Sequence, residues 1–354
     1  MNYEPRQRWR SLLIGFILAA GLAACGVPIE VAEPTSAVTP QFDIGETPAP
    51  PAATPTAVAS PATVPGPATS GPAATPQAST SGCDGASNGT RLTPPSRVRP
   101  ARAFNLLPVV PDPALDAAVT AALGDLAGSY GVVVKDLATG RGTAVNPDRI
   151  FYAASVFKVM VMYEAFNQAQ QGILDLAGEV QVTPYYDAFG LGWRATSLCQ
   201  KLPVQQAVAA MMSISDNAAA VLLQDLLGSN NINDSMQALG LKDSRLLPED
   251  LPLTAGDMAI LLEGIGRGLA VDAASSEAMV RLMLAEGIDN GIAAVLPPGT
   301  AVAHKTGNWW NATHDVAIVY SPKATYVLVV LTDRGYADAV TRAISSAVYR
   351  YFNP

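Results

Sequence analysis

Ser155-Val156-Phe157-Lys158, Ser215-Asp216-Asn217 and Lys305-Thr306-Gly307 follow one another in that order along the chain. Each motif supplies groups that acyl transfer needs. A serine hydroxyl is a weak nucleophile until a base takes its proton. Lys158 stands three residues after Ser155, so on a helix the two side chains share a face about one turn apart. Ser215 offers a second hydroxyl for proton transfer, Asn217 an amide, and Lys305 a compact positive charge suited to a carboxylate. This chemistry is a serine acyl transfer that uses lysine where other enzymes use histidine.

The bulk composition removes several alternatives. There are six lysines in 354 residues, and two of the six fall in these motifs. The two histidines, His304 and His314, are too few for most catalytic zinc sites and leave little room for a Ser-His-Asp triad. The formal charge is −8 with no basic cluster, which argues against nucleic-acid binding. No metal or organic cofactor is expected.

The N-terminus reads as a targeting segment. Arg6, Arg8 and Arg10 precede a short apolar stretch, Leu12 to Leu22, too short to span a bilayer comfortably. Leu22-Ala23-Ala24-Cys25 resembles a bacterial lipobox, whose cysteine is lipidated and begins the mature chain. A signal peptide cut near Ala24 and an uncleaved anchor are the alternatives; all three place the remainder outside the cytoplasm. Residues 1–25 are therefore expected to be a lipoprotein signal peptide ending at Cys25, leaving a membrane-anchored, extracytoplasmic protein. The compartment is then oxidising, where Cys83 and Cys199 can form a disulfide; the sequence leaves their pairing open.

Fifteen of the 28 prolines, and none of the lysines, lie in residues 26–100. Such a tract cannot bury enough apolar surface to offset its ordering entropy. Residues 26–105 are expected to be a disordered tether, reaching some 200 Å or more if extended at about 3.1 Å per residue. The folded domain is expected over 106–354, as a monomer.

Within it, Asp112 to Leu126 predicts an amphipathic helix, and residues 131–137 and 143–146 a hairpin. Val156, Val159, Met160, Tyr163 and Phe166 make one helical apolar stripe. Further helices are expected from Pro203 to Met212, Ala218 to Leu227 with Gly228 as the stop, Thr254 to Gly266 and Ser275 to Ala285. Strands follow at Asp315–Tyr320 and Thr325–Thr332, then a last helix over Tyr336–Phe352. The fold class is α+β. Strands from both chain ends meet in one antiparallel sheet flanked by helices, with an all-helical insert beside it. That arrangement sets Lys305-Thr306-Gly307 opposite Ser155.

With these residues the chain resembles the class A β-lactamase and penicillin-recognising serine hydrolase family over roughly residues 110–350. Beyond the three motifs, Phe151-Tyr152-Ala153-Ala154 before Ser155, Leu226-Leu227-Gly228, Leu296-Pro297-Pro298-Gly299 and His314-Asp315-Val316-Ala317 are similar to the family's pattern. The interval of 215 − 155 = 60 residues also fits. The resemblance implies a β-lactamase/transpeptidase-like fold and a set of roles. Ser155 is the nucleophile and Lys158 the base or part of its relay. Ser215 passes a proton toward the leaving nitrogen, and Asn217 binds the substrate's side-chain amide. Lys305 and Thr306, followed by Gly307, receive the substrate carboxylate. The backbone N–H groups of Ser155 and Asn308 form the oxyanion hole.

Two departures stand out. The interval 305 − 215 = 90 residues is shorter than in class A β-lactamases, and the loss falls between Arg245 and Thr254. The E-x-x-L-N glutamate that activates water in those enzymes is missing. Glu249 is the nearest stand-in and Asp250 the next, with a solvated acidic turn as the alternative. Trp309 and Trp310 replace the small residues usual after the third motif; they either line the site or pack against the insert. Three functions stay open: hydrolysis of β-lactams, a penicillin-binding D-Ala-D-Ala peptidase acting on peptidoglycan stem peptides, and a slowly deacylating β-lactam sensor.

Overall fold

The computed structural model describes Cys83 and residues 91–190 and 194–354. The signal segment, Cys25 and most of the expected tether lie outside the described residues. The elements run β1 (Val110–Pro111), α1 (Pro113–Leu123), β2 (Tyr130–Asp136), β3 (Arg141–Val145), β4 (Phe151–Tyr152), α2 (Lys158–Gln170), β5 (Glu179–Gln181), α3 (Pro184–Asp187), β6 (Lys201–Pro203), α4 (Val204–Ser213), α5 (Asn217–Leu227), α6 (Ser229–Leu239), β7 (Pro252–Leu253), α7 (Ala255–Gly266), α8 (Ala273–Leu284), β8 (Ala301–Trp309), β9 (Ala312–Tyr320), β10 (Thr325–Thr332) and α9 (Asp338–Phe352).

The near-continuous apolar run of β10 shows how the layers stack. Tyr326, Leu328 and Val330 pack with Leu115 and Val119 of α1 and Ile344 and Val348 of α9. Val327, Val329 and Leu331 point the other way, into the core shared with α2 and α7. A strand covered on both faces has no polar side to present. The sheet order is β1-β3-β2-β10-β9-β8, antiparallel except where β1 lies parallel to β3. Val133 of β2 is opposite Val329 of β10, so the two ends of the chain are joined at the middle of the sheet.

Helix α2 is the axis of the insert, buried from Lys158 through Gln168. Fully buried Met160 and Met162 each contribute roughly 1.5–3 kcal/mol by leaving water. The expected all-helical insert needs correction, because it also holds two short antiparallel ribbons, β4–β7 and β5–β6. Strands of two or three residues are too short for alternation to reveal. Helix α6 was also not anticipated. Its sequence is polar, yet Ile232, Met236 and Leu239 form a buried stripe at helical spacing.

The expected tether boundary also shifts. Residues 91–105 lie against the domain. Arg91 pairs with Asp225 (Nε–Oδ2 2.9 Å), and Leu92 N donates to the Tyr186 hydroxyl at 2.7 Å. Pro95 O accepts from Asn231, and Ala101 N donates to Ser235 Oγ. Phe104 packs edge-on to Tyr163 at 6.2 Å. Beyond it, Leu107 N donates to Glu263, and Leu107 O accepts from Lys135 at 2.6 Å. A proline-rich segment forms no regular ladder, but side chains of a neighbouring surface satisfy its backbone groups. Cys83 and Cys199 form a disulfide with Cα atoms 5.2 Å apart, which settles the pairing that the sequence left open.

Candidate active site

The backbone around Ser155 is held by short-range bonds. β4 pairs with β7, and Ala153 N donates to Leu251 O at 2.7 Å. The chain then turns through Ala154, a non-glycine residue with φ 44°. Such a backbone costs of order 1–3 kcal/mol and persists only where surrounding contacts enforce it. A single 3-10 turn, Ala154–Phe157, carries Ser155 and runs into α2, whose first residue is Lys158. Ser155 stays partly exposed, while Lys158 is fully buried.

Four oxygens surround Lys158 Nζ. Two are carbonyl oxygens, Ser215 O and Asn217 Oδ1, both at 2.7 Å; two are hydroxyls, Ser215 Oγ at 2.9 Å and Ser155 Oγ at 3.1 Å. Carbonyl oxygens only accept. They therefore engage two N–H bonds of the amine. In the neutral amine the lone pair is left facing the hydroxyls. Burial, helped by the charge of Lys305, lowers the Lys158 pKa to about 7 against the opposing pull of Glu286 and Asp216. A base poised near neutral pH suits proton abstraction from serine.

The second motif divides its labour. Ser215 has φ 61°, so it too sits in the left-handed region. Asp216 does structural work that the sequence did not disclose. Its Oδ1 accepts from Ala219 N at the start of α5, and its Oδ2 accepts from Ala195 N, Thr196 N and Thr196 Oγ1, each at 2.9 Å. One carboxylate thereby fixes the helix N-terminus and the loop beside it.

Strand β8 brings the third motif alongside. A Cβ at Gly307 would lie 3.2 Å from both Ser155 N and Ala153 O, so glycine allows the strand to approach Ser155. Lys305 and Thr306 are buried, and both are bonded to Glu286: Lys305 Nζ to Oε2 at 2.6 Å, Thr306 Oγ1 to Oε1 at 2.9 Å. Burial pushes the Glu286 carboxyl up and the Lys305 ammonium down, and each partner's charge opposes its shift. Asn308 is exposed at the end of this run.

The two histidines stay outside the reaction centre. Both ring nitrogens of His304 face acceptor-only carboxylates, Asp315 at 3.0 Å and Asp289 at 3.1 Å, so both donate. Burial opposes that charge, but Asp315, Glu286 and Asp289 outweigh it and raise the pKa to about 9. His314 is the reverse case. Its Nδ1 accepts from Thr332 N, so Nε2 carries the proton and donates to Tyr152 O at 2.8 Å. Burial lowers its pKa to about 4.

Ser155, Lys158, Ser215 and Asn217 are thus brought together, and Lys305, Thr306, Gly307 and Asn308 adjoin them along β8. Glu249 is not brought in. It is solvent-exposed in the turn closed by the Leu247 N–Asp250 O bond, and among the described residues no hydrogen bond or ion pair links it to Ser155. Trp309 and Trp310 are 52% and 84% exposed; Trp309 stands 6.3 Å from the half-exposed ring of Tyr152. Glu286 was missed because its partners lie 19 and 20 residues away, with no motif to mark it.

A sequence profile of the β-lactamase enzyme family matches residues 114–352, most of the chain. The chain belongs to the β-lactamase enzyme family. It is 24% identical over 238 residues to the extended-spectrum β-lactamase PER-1 of Pseudomonas aeruginosa, covering 58% of this chain and 77% of that one. A β-lactamase of Sphaerobacter thermophilus is 25% identical with a TM-score of 0.60, over 68% of this chain and 97% of that one. PBP-A superposes with a TM-score of 0.64 at 23% identity, over 70% of this chain and 99% of its own, and shares the fold. The protein is a serine β-lactamase-like hydrolase with the β-lactamase/transpeptidase fold.

Proposed function

We propose that this β-lactamase-family protein opens β-lactam rings through an acyl-enzyme on Ser155, in the manner of class A β-lactamases. The observation that carries the reading is the position of Lys158 Nζ, 3.1 Å from Ser155 Oγ and 2.9 Å from Ser215 Oγ, with two N–H bonds already committed to carbonyl oxygens. Neutral Lys158 takes the Ser155 proton as Oγ attacks the lactam carbonyl. The carbonyl oxygen gathers negative charge between the Ser155 and Asn308 backbone N–H groups. The proton passes through Ser215 to the ring nitrogen as the C–N bond breaks. Asn217 orients the substrate amide, and Lys305 and Thr306 receive its carboxylate. Water then hydrolyses the ester.

A second reading is favoured by the exposed position of Glu249. Without a carboxylate at the ester, deacylation is slow, and the protein behaves as a penicillin-binding peptidase acting on peptidoglycan stem peptides or as a sensor. PBP-A, whose variant forms an acyl-enzyme with penicillin G, shares the fold. The disulfide supports an oxidising, extracytoplasmic setting, consistent with attachment to the membrane through Cys25.

The test follows the mass of the protein after mixing with penicillin G. A Ser155 adduct that decays within minutes while hydrolysed penicillin accumulates supports β-lactamase turnover. An adduct that persists for hours supports the second reading. No adduct, or one that survives Ser155→Ala, overturns both.

A further inference from the structure

Glu286 lies behind the two residues assigned to the substrate carboxylate, and its geometry conflicts with that task. Thr306 has one hydroxyl proton and gives it to Glu286 Oε1; Lys305 gives an N–H to Oε2. In that state Thr306 presents only lone pairs to an incoming anion. The backbone that carries this carboxylate is also held in place. Gly287 N donates to Ser213 O at 2.8 Å, Asp289 holds His304, and Ile292 N donates to Asp315 at 2.7 Å. The segment bearing Glu286 is therefore fastened to the end of α4 and to both β8 and β9.

We propose that Glu286 is a positioning residue that takes up a proton as the substrate carboxylate binds, releasing the Thr306 hydroxyl to donate to that carboxylate. The inference rests on the carboxylate-binding role of Lys305 and Thr306 given above. The proton comes from solvent and forms an O–H bond on Glu286. This hydroxyl donates to Thr306 Oγ1, and the Thr306 hydrogen turns to the substrate. No other bond is made or broken. Two carboxylates sharing Lys305 in a water-poor site cannot both keep a full charge, which favours the protonated form once substrate arrives. The charged and titratable groups facing Glu286 are Lys305 and His304 from β8 and Lys158 from α2, with Asp289 of its own segment and Asp315 of β9 on His304. Of these, Lys158 titrates near neutral pH, and any contribution of its charge to initial binding would survive in Glu286→Gln.

The test is rapid-mixing acylation of the full chain by penicillin G and by its methyl ester, separating initial binding from the acylation rate, across about pH 5 to 9. For penicillin G, the binding constant should weaken with rising pH, by up to about tenfold per unit above the Glu286 titration. The ester, with no charge to balance, should show a flat profile. Glu286→Gln keeps the shape, and its amide N–H donates to Thr306 at every pH, so its penicillin G profile should be flat too. Equal slopes for acid and ester in the native protein overturn the proposal without recourse to the variant, as does a slope that survives in Glu286→Gln. No adduct with either compound at any pH overturns the acylation reading itself, and the proposal with it.

Discussion

Gly307 and Ser155 are so close that a single methyl group on Gly307 would sit 3.2 Å from the Ser155 amide nitrogen. The third motif therefore fixes the approach of a strand to Ser155 as well as providing side chains. Val156 Cγ2 lies 3.0 Å from the same point and Ala153 O 3.2 Å, so an added methyl forces the strand or these neighbours to shift. Gly307→Ala should leave the protein folded, with an unchanged circular dichroism spectrum. Acylation of Ser155 should fall by about 10²–10³-fold, the scale of losing one oxyanion donor. Near-native acylation by the variant would show that the strand can move aside.

Lys158 should write its titration into the acylation rate. With a pKa of about 7, its free-base fraction grows about tenfold per pH unit below that value and saturates above it. The acylation rate constant should follow the same curve. Lys158→Arg keeps a positive charge but no lone pair, and should lower the plateau rate above pH 7 by about 10²–10⁴-fold. A rate already flat from pH 5 upward would remove Lys158 from the base role.

Glu249 provides a simpler contrast. An exposed carboxylate in a turn has no route to the acyl ester, so Glu249→Gln should change the decay of the penicillin adduct by less than about twofold. A tenfold slower decay would mean that the turn folds inward after acylation.

The two histidines predict a stability maximum near pH 6.5. His304, raised to about 9 in the folded protein, contributes stability that is complete below about 6.5 and is lost as pH rises through 9. His314, lowered to about 4, contributes stability that is complete above about 6.5 and is lost as pH falls through 4. Urea unfolding midpoints measured across this range should fall on both sides. Replacing His314 with Gln, which can still donate to Tyr152 O, should flatten the acidic limb and leave the alkaline limb in place.

Sequence and structure agree where the signal is local. The stripe from Val156 to Phe166 and the run from Thr325 to Thr332 disclosed their elements because periodicity acts over a few residues. Ser155, Lys158, Ser215 and Lys305 were legible because their order and residue types belong to one chemistry. Glu286 and Asp216 were not legible as supports, since a buried carboxylate is indistinguishable from a surface one until its partners are in place. The segment from Arg91 to Asn105 differs from its expected place in the tether for a related reason. Proline content reports on the absence of self-made hydrogen bonds, and says nothing of those offered by Tyr186, Asn231 and Ser235.

The Cys83–Cys199 bond has a mechanical side. Whatever precedes Cys83 is covalently joined to the loop whose Ala195 and Thr196 are gripped by Asp216, next to Ser215. Tension applied along the N-terminal region is delivered first to that crosslink and its loop; the central sheet and the segment from Arg91 onward are shielded from it. Cutting the bond would shift the same tension to the Arg91–Asp225 contact, at the far end of α5 from Ser215. The crosslink thus decides where a pull on this enzyme would be felt.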